Sequence, residues 1–561
     1  MHRSTIRVTL GDQAFDLPYG TPVSELLTDH PQPSTQPPLA AIVHNRCVDL
    51  SARLTANTDV RVVDYTMREG VLVYRRSASL MLLEAVRQRC GTARVRIGQA
   101  LGNGYFYTIE TAEPFSAEQT EALRETMRQM AADALPLYTE RVSLDEAREI
   151  FAARGADDKL LLLSTWWEPS VELVHCGETC DIHHSPVAPD ASHITTFELC
   201  HQPAQNGRPG GVIMRFPPRG KPRPVPPLPS SPKLVAIYRE TQDWLEIMNV
   251  RTVGQLNKIT VRGEAGELIR VAEGLHEKKV AQIADKVCDG QHPARLVLIA
   301  GPSSSGKTTF SKRLSLQLRV NGIQPVALST DNFYVNREDT PLDEDGKYDF
   351  ESIEAIDLAL FNETLSALLR GEEVLTPRFD FNTGKRRDRS RWIPMRLNPE
   401  QVLVVEGIHG LNPRLTEAVP AEDKYKIYVS ALTQLCIDNH NRIFTSDTRF
   451  LRRIIRDRMF RGYSASQTIQ TWPSVRRGEL RNIFPYQEEA DSFFNSALVY
   501  EVAVLRLYAE RFLLEVSQDD PAYVSAYRLL SFVERFVPIF DESIPQTSLL
   551  REFIGGSYFN Y

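Results

Sequence analysis

Arg295-Leu-Val-Leu-Ile-Ala-Gly301-Pro-Ser-Ser-Ser-Gly306-Lys307-Thr308-Thr309 is the stretch from which the fold follows. The apolar run 296–300 reads as a buried parallel strand. Beyond the loop, Phe310-Ser-Lys-Arg-Leu-Ser-Leu-Gln-Leu has helical spacing. Between them stands G-x-x-x-x-G-K-T, in the strand–loop–helix setting the motif requires. Gly301 and Gly306 let the backbone aim its N–H groups at phosphate oxygens, with Ser303, Ser304, Ser305 and Thr309 in the same cradle. The helix N-terminus adds partial positive charge, Lys307 reaches the β/γ-phosphates, and the Thr308 hydroxyl is placed to ligate Mg²⁺. A chance Gly-rich turn before a helix is the competing reading, and the flanks speak against it. The stretch implies a bound nucleoside triphosphate.

Downstream, Pro325-Val-Ala-Leu-Ser reads as a second strand, ending at Thr330-Asp331-Asn332-Phe333-Tyr334. An Asp at the carboxyl end of a strand beside such a loop faces the phosphates. It can take an acceptor hydroxyl's proton or hold Mg²⁺. Val402-Leu-Val-Val-Glu406-Gly407 is an apolar strand ending in an acid, suited to a metal's water shell. An acid there is often only a solvated turn residue, but three phosphate-type signals on successive strands argue for a site. In 447–462, Arg449, Arg452/Arg453 and Arg456 recur at i, i+3/i+4 and i+7, so guanidinium groups share one helix face. Such a face is often solvated or a nucleic-acid patch. Beside a phosphate-binding loop it reads as a lid that supplies transition-state charge.

Residues 301–309, Asp331-Asn-Phe-Tyr334, Tyr348-Asp-Phe-Glu351, Pro377-Arg-Phe379-Asp-Phe381, Glu406-Gly-Ile and 447–462 resemble uridine kinases of the phosphoribulokinase/uridine kinase family, across 296–510. The resemblance implies ATP and Mg²⁺ as cofactors, with Thr308 and Glu406 at the metal. It implies Asp331 as the base, Tyr334 and Phe379 lining a nucleoside pocket, and Glu351 on the ribose hydroxyls, where those kinases have an Asp. Arg453, Arg456 and Arg461 would be lid arginines. Those kinases hold the pyrimidine with a Tyr and a His where this chain has Phe379 and Gly384. Without those polar groups the base edge should be read less strictly. Trp472-Pro-Ser-Val-Arg476-Arg477-Gly478-Glu479 is a further candidate for substrate contact.

Upstream, short alternating runs fill 4–66: Ile6-Arg-Val-Thr-Leu, Ala14-Phe-Asp-Leu, Ala40-Ala-Ile-Val, Cys47-Val-Asp-Leu and Asp59-Val-Arg-Val-Val-Asp. Gly11-Asp12 and His44-Asn45 mark turns, and Thr21-Pro-Val opens a helix. This order resembles the TGS domain of threonyl-tRNA synthetases. A helix beginning at Arg75, then Val95-Arg-Ile-Gly98, Leu101-Gly-Asn-Gly104-Tyr-Phe-Tyr107 and Cys180-Asp-Ile-His183-His184 through Leu199, resembles the editing domain of threonyl- and alanyl-tRNA synthetases. That domain carries His-x-x-x-His on its first helix and Cys-x-x-x-His on a later loop. Here the four positions read Arg76, Leu80, His183 and Val187. One imidazole without a second ligand neither holds a metal nor positions a hydrolytic water, so the editing chemistry is expected to be lost. His175, Cys176, Cys180, His183, His184, His193, Cys200 and His201 crowd closely enough to keep a structural zinc open. Against it, Cys176-x-x-x-Cys180 lacks the usual pair spacing.

Residues 203–232 are Pro/Gly-rich and read as a mostly extended linker. The runs 234–257 and 264–289 carry helical periodicity, the second expected to pack on the phosphate-binding core. A chain of 561 residues predicts three to four domains, and its net charge of −7 gives no general pull toward nucleic acid or anionic membrane. No apolar run nears the roughly 18 residues that span a bilayer. The N-terminus lacks the apolar core of a signal peptide. Seven scattered Cys suit reduced thiols in a cytoplasm.

The expected architecture is α/β. A TGS-like β-grasp unit occupies 1–68, an α+β editing-like unit 69–202, a linker and helical connector 203–290, and a P-loop kinase domain with a parallel sheet 291–561. The expected activity is ATP-dependent phosphorylation of a nucleoside 5′-hydroxyl, uridine or cytidine foremost, with no membrane partner and the oligomeric state open. The competing class is a nucleotide-gated regulator that binds RNA or the ribosome through its front half.

Overall fold

Alternation decides the front of the chain. The computed structural model describes residues 5–32, 36–205, 207–220, 224–289, 294–344, 346–380 and 383–561; Phe381 and connector positions 206, 221–223 and 290 lie outside the described residues. Strands β1 (Thr5–Leu10), β2 (Gln13–Pro18), β3 (Ala40–Val43), β4 (Arg46–Val48) and β5 (Thr58–Val63) form one mixed sheet in the order β2-β1-β5-β3-β4. β1 buries Ile6, Val8 and Leu10. Val23 and Leu26 of α1 (Val23–Asp29) share that core.

In the next unit α2 (Arg68–Cys90) packs on α3 (Ala117–Ala132), and α4 (Leu144–Ala153) packs on α5 (Asp157–Leu163). β8 (Leu137–Ser143), β9 (Ser170–Cys176) and β10 (Thr179–Ile182) form one sheet. β6 (Arg94–Leu101), β7 (Gly104–Glu110), β11 (Glu198–Gln202) and β12 (Gly211–Arg215) form another, ordered β11-β12-β7-β6. Two expectations change here. α2 begins at Arg68 rather than Arg75: the Asp64 carboxylate accepts the Thr66 N–H at 2.8 Å, turning the chain into the helix. The supposed linker contains β12, wholly buried and paired antiparallel with both β7 and β11. Val212-Ile-Met is a core run hidden among Pro and Gly. Gly211 is needed there because a Cβ would fall 1.9 Å from the Tyr107 carbonyl oxygen.

The connector holds α6 (Pro232–Ile247), α7 (Val253–Val261) and α8 (Ala265–Cys288). The first periodic run breaks at Asn249, whose φ is 50°. Thr252 and Gln255 then restart it with a reciprocal cap. α8 packs on the back half through Leu268, Ile269, Val280 and Ile283.

The back half opens with β13 (Leu296–Ala300), α9 (Lys307–Val320), β14 (Gln324–Ser329) and α10 (Leu358–Leu369). Small hairpins follow: β15 (Val374–Thr376) with β18 (Ile393–Met395), and β16 (Phe379–Asp380) with β17 (Lys385–Arg386). Then come β19 (Gln401–Glu406), β20 (Lys424–Ser430), the hairpin β21 (Cys436–Asp438)–β22 (Asn441–Arg442), α11 (Thr445–Phe460), α12 (Ala465–Asn482), β23 (Ser492–Asn495), α13 (Glu501–Leu514), α14 (Tyr523–Val533) and α15 (Arg551–Ile554). The main sheet runs β14-β19-β13-β20-β23, every pair parallel. Its strands read as continuous apolar runs because helices cover both faces. One apolar core continues from Phe151 and Leu173 through α8 to Ile299, Phe310 and Leu549. Among the described residues no helix is long and apolar enough to cross a membrane.

Candidate active site

Three strands of the main sheet end at one point. Ser329 of β14 and Ile299 of β13 both pair with Glu406 of β19. The loop after β13, Asp331 after β14 and Glu406 therefore leave the same carboxyl edge. The loop is shaped by close approach. A Cβ on Gly301 would lie 1.9 Å from the Val429 carbonyl oxygen, and Gly306 has φ 85°. Ser304 also takes a positive φ of 57°. The hydroxyls of Ser304 and Ser305 are buried without a hydrogen-bond partner among the described residues. The N-cap Gly306 gives the first turn of α9 no side-chain cap, so its N–H groups other than that of Thr309 are left for an acceptor. Lys307 donates to the Pro302 carbonyl at 3.1 Å. Burial pulls its pKa down, opposed by Glu406, Asp331, Glu552 and Glu351. The Thr308 hydroxyl neighbours the Glu406 carboxylate and lowers its pKa. These residues fit a triphosphate with Mg²⁺: unpaired serine hydroxyls and a cation for phosphate oxygens, a hydroxyl beside a carboxylate for a hard metal.

Burial lifts the pKa of Asp331, while Lys307, Arg461 and Arg456 draw it back. Burial also drives Glu351 and Glu406 up to about 7, with Arg453 opposing at Glu351 and Lys307 at Glu406. Glu351 Oε2 is buried with no hydrogen-bond partner among the described residues. Gly478 makes room for it, since a Cβ there would lie 2.3 Å from the Glu351 Cβ. The rings of Tyr334 and Phe379 lie 5.7 Å apart, and Tyr334 Oη donates to the Phe350 carbonyl at 3.4 Å. Gly384 has φ 70°, and the Arg337 guanidinium fills the space beside it, its Nε 2.6 Å from where a Cβ would stand.

α11 is not a row of free guanidinium groups, which corrects the reading of its periodicity. Arg449 and Arg452 are 2% and 0% exposed. Arg449 is held by Glu479, with Nη2 2.8 Å from Oε2, and Arg452 by Glu501, with Nε 3.0 Å from Oε2. Their other N–H groups donate to the carbonyls of Ser303 at 3.0 Å and Ser304 at 3.4 Å. They are struts beneath the phosphate-binding loop. Arg453 donates to Ser303 Oγ at 2.7 Å, while Arg456 and Arg461 meet Asp457 at 3.3 and 3.7 Å. Trp472 is core: it stacks on Phe450 with centroids 4.7 Å apart.

One contributor carries no motif. Glu552 Oε2 accepts the Thr309 N–H at 3.3 Å and the Thr309 hydroxyl at 2.7 Å. Tyr561 Oη lies 2.8 Å from the same hydroxyl, and Leu549 packs on Gly306. The aromatic-rich end of the chain, Tyr558-Phe-Asn-Tyr561, is the faint signal that it docks somewhere.

In the front half the four editing positions hold other partners. Arg76 pairs with Asp181 at 3.0 Å, and Leu80 and Val187 are core. His183 lies 3.0 Å from Asp49 and 3.4 Å from Glu172, whose charges outweigh burial and raise its pKa to about 9. His175 stacks on Tyr138, His193 meets Asp190, and burial pushes the Cys176 and Cys180 thiols to about 12 and about 11. The Cys/His density is nearness in sequence without convergence: among the described residues no three His, Cys, Asp or Glu are grouped to hold a metal.

Residues 296–503 match the family described as "Phosphoribulokinase / Uridine kinase family", and the back half carries a domain of that family. The N-terminal half is similar to threonine–tRNA ligases. That of Symbiobacterium thermophilum is 29% identical over 198 residues, covering 35% of this chain and 30% of that protein. That of Methylococcus capsulatus is 32% identical over 162 residues, covering 29% and 25%. The chain thus spans less than a third of the length of these relatives. Among solved structures, a possible uridine kinase from Bacillus stearothermophilus aligns at 17% identity and TM-score 0.27, over 39% of this chain and 97% of that one.

Proposed function

We propose that this chain transfers the γ-phosphoryl group of ATP to the 5′-hydroxyl of a nucleoside, uridine or cytidine foremost. The supporting observation is that the carboxylates of Asp331, Glu351 and Glu406 all act on the buried Lys307, with Asp331 and Glu406 leaving the same carboxyl edge of the main sheet. In this reading Asp331, its basicity raised by burial, takes the hydroxyl proton as the new O–P bond forms. Glu351 accepts hydrogen bonds from the ribose diol, and Tyr334 and Phe379 wall the base. Thr308 and Glu406 would hold Mg²⁺, which supplies positive charge to the phosphates. Lys307, Arg453, Arg456 and Arg461 carry the rest of that charge. Anions at Asp331 and Glu351 disfavour an acceptor that already bears phosphate. Within the division 1–68, 69–202, 203–290 and 291–561, this chemistry belongs to the last part. The front half is read as a module without deacylase activity that presents a surface to RNA.

The test is product identification after incubation with ATP, Mg²⁺ and a panel of ribo- and deoxyribonucleosides, pantothenate and ribulose 5-phosphate. Uridine and cytidine should be phosphorylated, with other nucleosides disfavoured by only about 1–3 kcal/mol because stacking and shape replace polar base contacts. Turnover of pantothenate or ribulose 5-phosphate with every nucleoside inert overturns the acceptor. Slow ATP hydrolysis raised by RNA and indifferent to nucleosides favours the gated regulator.

A further inference from the structure

A cavity of about 210 Å³ lies between the front and back halves. α2 contributes Arg75, β7 contributes Tyr105, the β22–α11 junction contributes Arg442 and Phe444, and α14 contributes Tyr527. Most of the lining is apolar, yet it is positively charged. Five lining arginines stand against two lining carboxylates, Glu69 and Asp447, with Arg76 held by Asp181 from outside the lining. Asp447 is committed to Arg528 at 2.9 Å.

Arg75, Arg442 and Arg535 have no carboxylate in ion-pair reach among the described residues; Arg535 lies 4.0 Å over the Trp166 ring, and Arg75 and Arg442 both lie against Tyr105. Arg75 donates to Tyr105 Oη at 3.3 Å and lies 5.6 Å from that ring; Arg442 lies 4.9 Å from the same ring and 5.7 Å from Phe444. The Nε atoms of Arg75 and Arg442 are buried without an acceptor among the described residues. Ring faces offset only part of the cost of desolvating a guanidinium.

We propose that this cavity binds a phosphomonoester carrying one flat ring, of the class of a pyrimidine nucleoside monophosphate. A phosphomonoester brings a charge of about −1.5 to −2, which answers two guanidinium groups where a carboxylate would answer one. The arginine fork matches phosphate oxygens, and the apolar remainder, with Phe444 and Tyr527, suits a ring. Neither half makes the site alone. It uses none of the residues assigned to the catalytic cleft, so it stands or falls independently of the proposed acceptor.

Full-length protein is titrated calorimetrically with uridine 5′-monophosphate, inorganic phosphate and uridine. Arg75→Gln, Arg442→Gln and the cleft variant Glu351→Ala are titrated in parallel. Nucleotide binding should survive Glu351→Ala, weaken at least about tenfold in either Arg variant, and exceed that of phosphate or uridine alone. Thermal unfolding checks that the Arg variants fold. Independently of any substitution, light-activated 4-thiouridine 5′-monophosphate should label peptides that contain Tyr105, Phe444 or Tyr527 in the wild-type protein. Labelling confined to the catalytic cleft, or isotherms indifferent to both arginines, overturns the site. Inorganic phosphate binding as tightly as the nucleotide overturns the ring.

Discussion

Asp331 stands between two pulls, burial raising its pKa and Lys307, Arg461 and Arg456 lowering it. That balance suits a group that must be ionised at rest and basic enough to take a proton. Asp331→Asn should keep ATP binding and lose about 10²–10⁴ in turnover, measured by nucleotide titration and steady-state kinetics; near-normal turnover places the base elsewhere. Glu351 carries a different signature. Its folded pKa of about 7 lies above the ordinary 4.5, so the folded state keeps a proton that the unfolded state releases. Stability therefore falls as pH rises through that window. Glu351→Gln should be neutral near pH 4 and stabilising at pH 8 by about 1–2 kcal/mol, the shift being discounted for a group partly open to solvent. Denaturant unfolding at both pH values checks this, and an equal gain at each would contradict it.

α11 looks uniform as a basic helix and acts as two faces. Arg452→Met strips the buried Glu501 of its partner and should cost about 3–5 kcal/mol, measured by denaturant unfolding. Arg461→Met, at a side chain 53% exposed, should change stability by less than about 0.5 kcal/mol while lowering kcat. Similar losses of stability in both would make α11 a strut throughout. α15 sets a second contest at the start of α9, because Glu552 places an anion on the Thr309 N–H, where phosphate would also be drawn. Glu552→Gln should tighten ATP binding about fivefold, the order of one charge at a helix N-terminus. Isothermal titration reads this directly; weaker binding would show that Glu552 supports the loop instead.

The halves of the molecule are joined by charge as well as by apolar contact. Lys159 of α5 is buried between Asp181 of β10 and Asp438 of β21. His184 adds a contact to Asp438 at 3.3 Å. A fragment of 291–561 would strip Asp438 of Lys159 and His184 and expose the core that runs from Phe151 to Phe310. It should therefore precipitate, or melt at least about 10 °C below the full chain by calorimetry. A fragment as stable as the full chain would mean that the halves are merely tethered.

The sequence by itself determined the parts that are local. The phosphate-binding loop occupies nine residues, and the acids Asp331 and Glu406 end apolar runs. Parallel strands bring such ends to one edge whatever the remainder does. The front sheet was legible in the alternation of 6–10 and 59–64, where period two admits one buried face. β12 escaped because a run of three apolar residues, Val212-Ile-Met, among Pro and Gly carries too little pattern to separate strand from linker. Only the tertiary structure decided which arginines are struts, because a solvated and a buried guanidinium face share one periodicity. The partners lie far along the chain: Glu479 is 30 residues from Arg449, Glu501 is 49 from Arg452, and Glu552 is 243 from Thr309. A charge is assigned its role by what approaches it after burial, and that approach is written in the packing of distant segments.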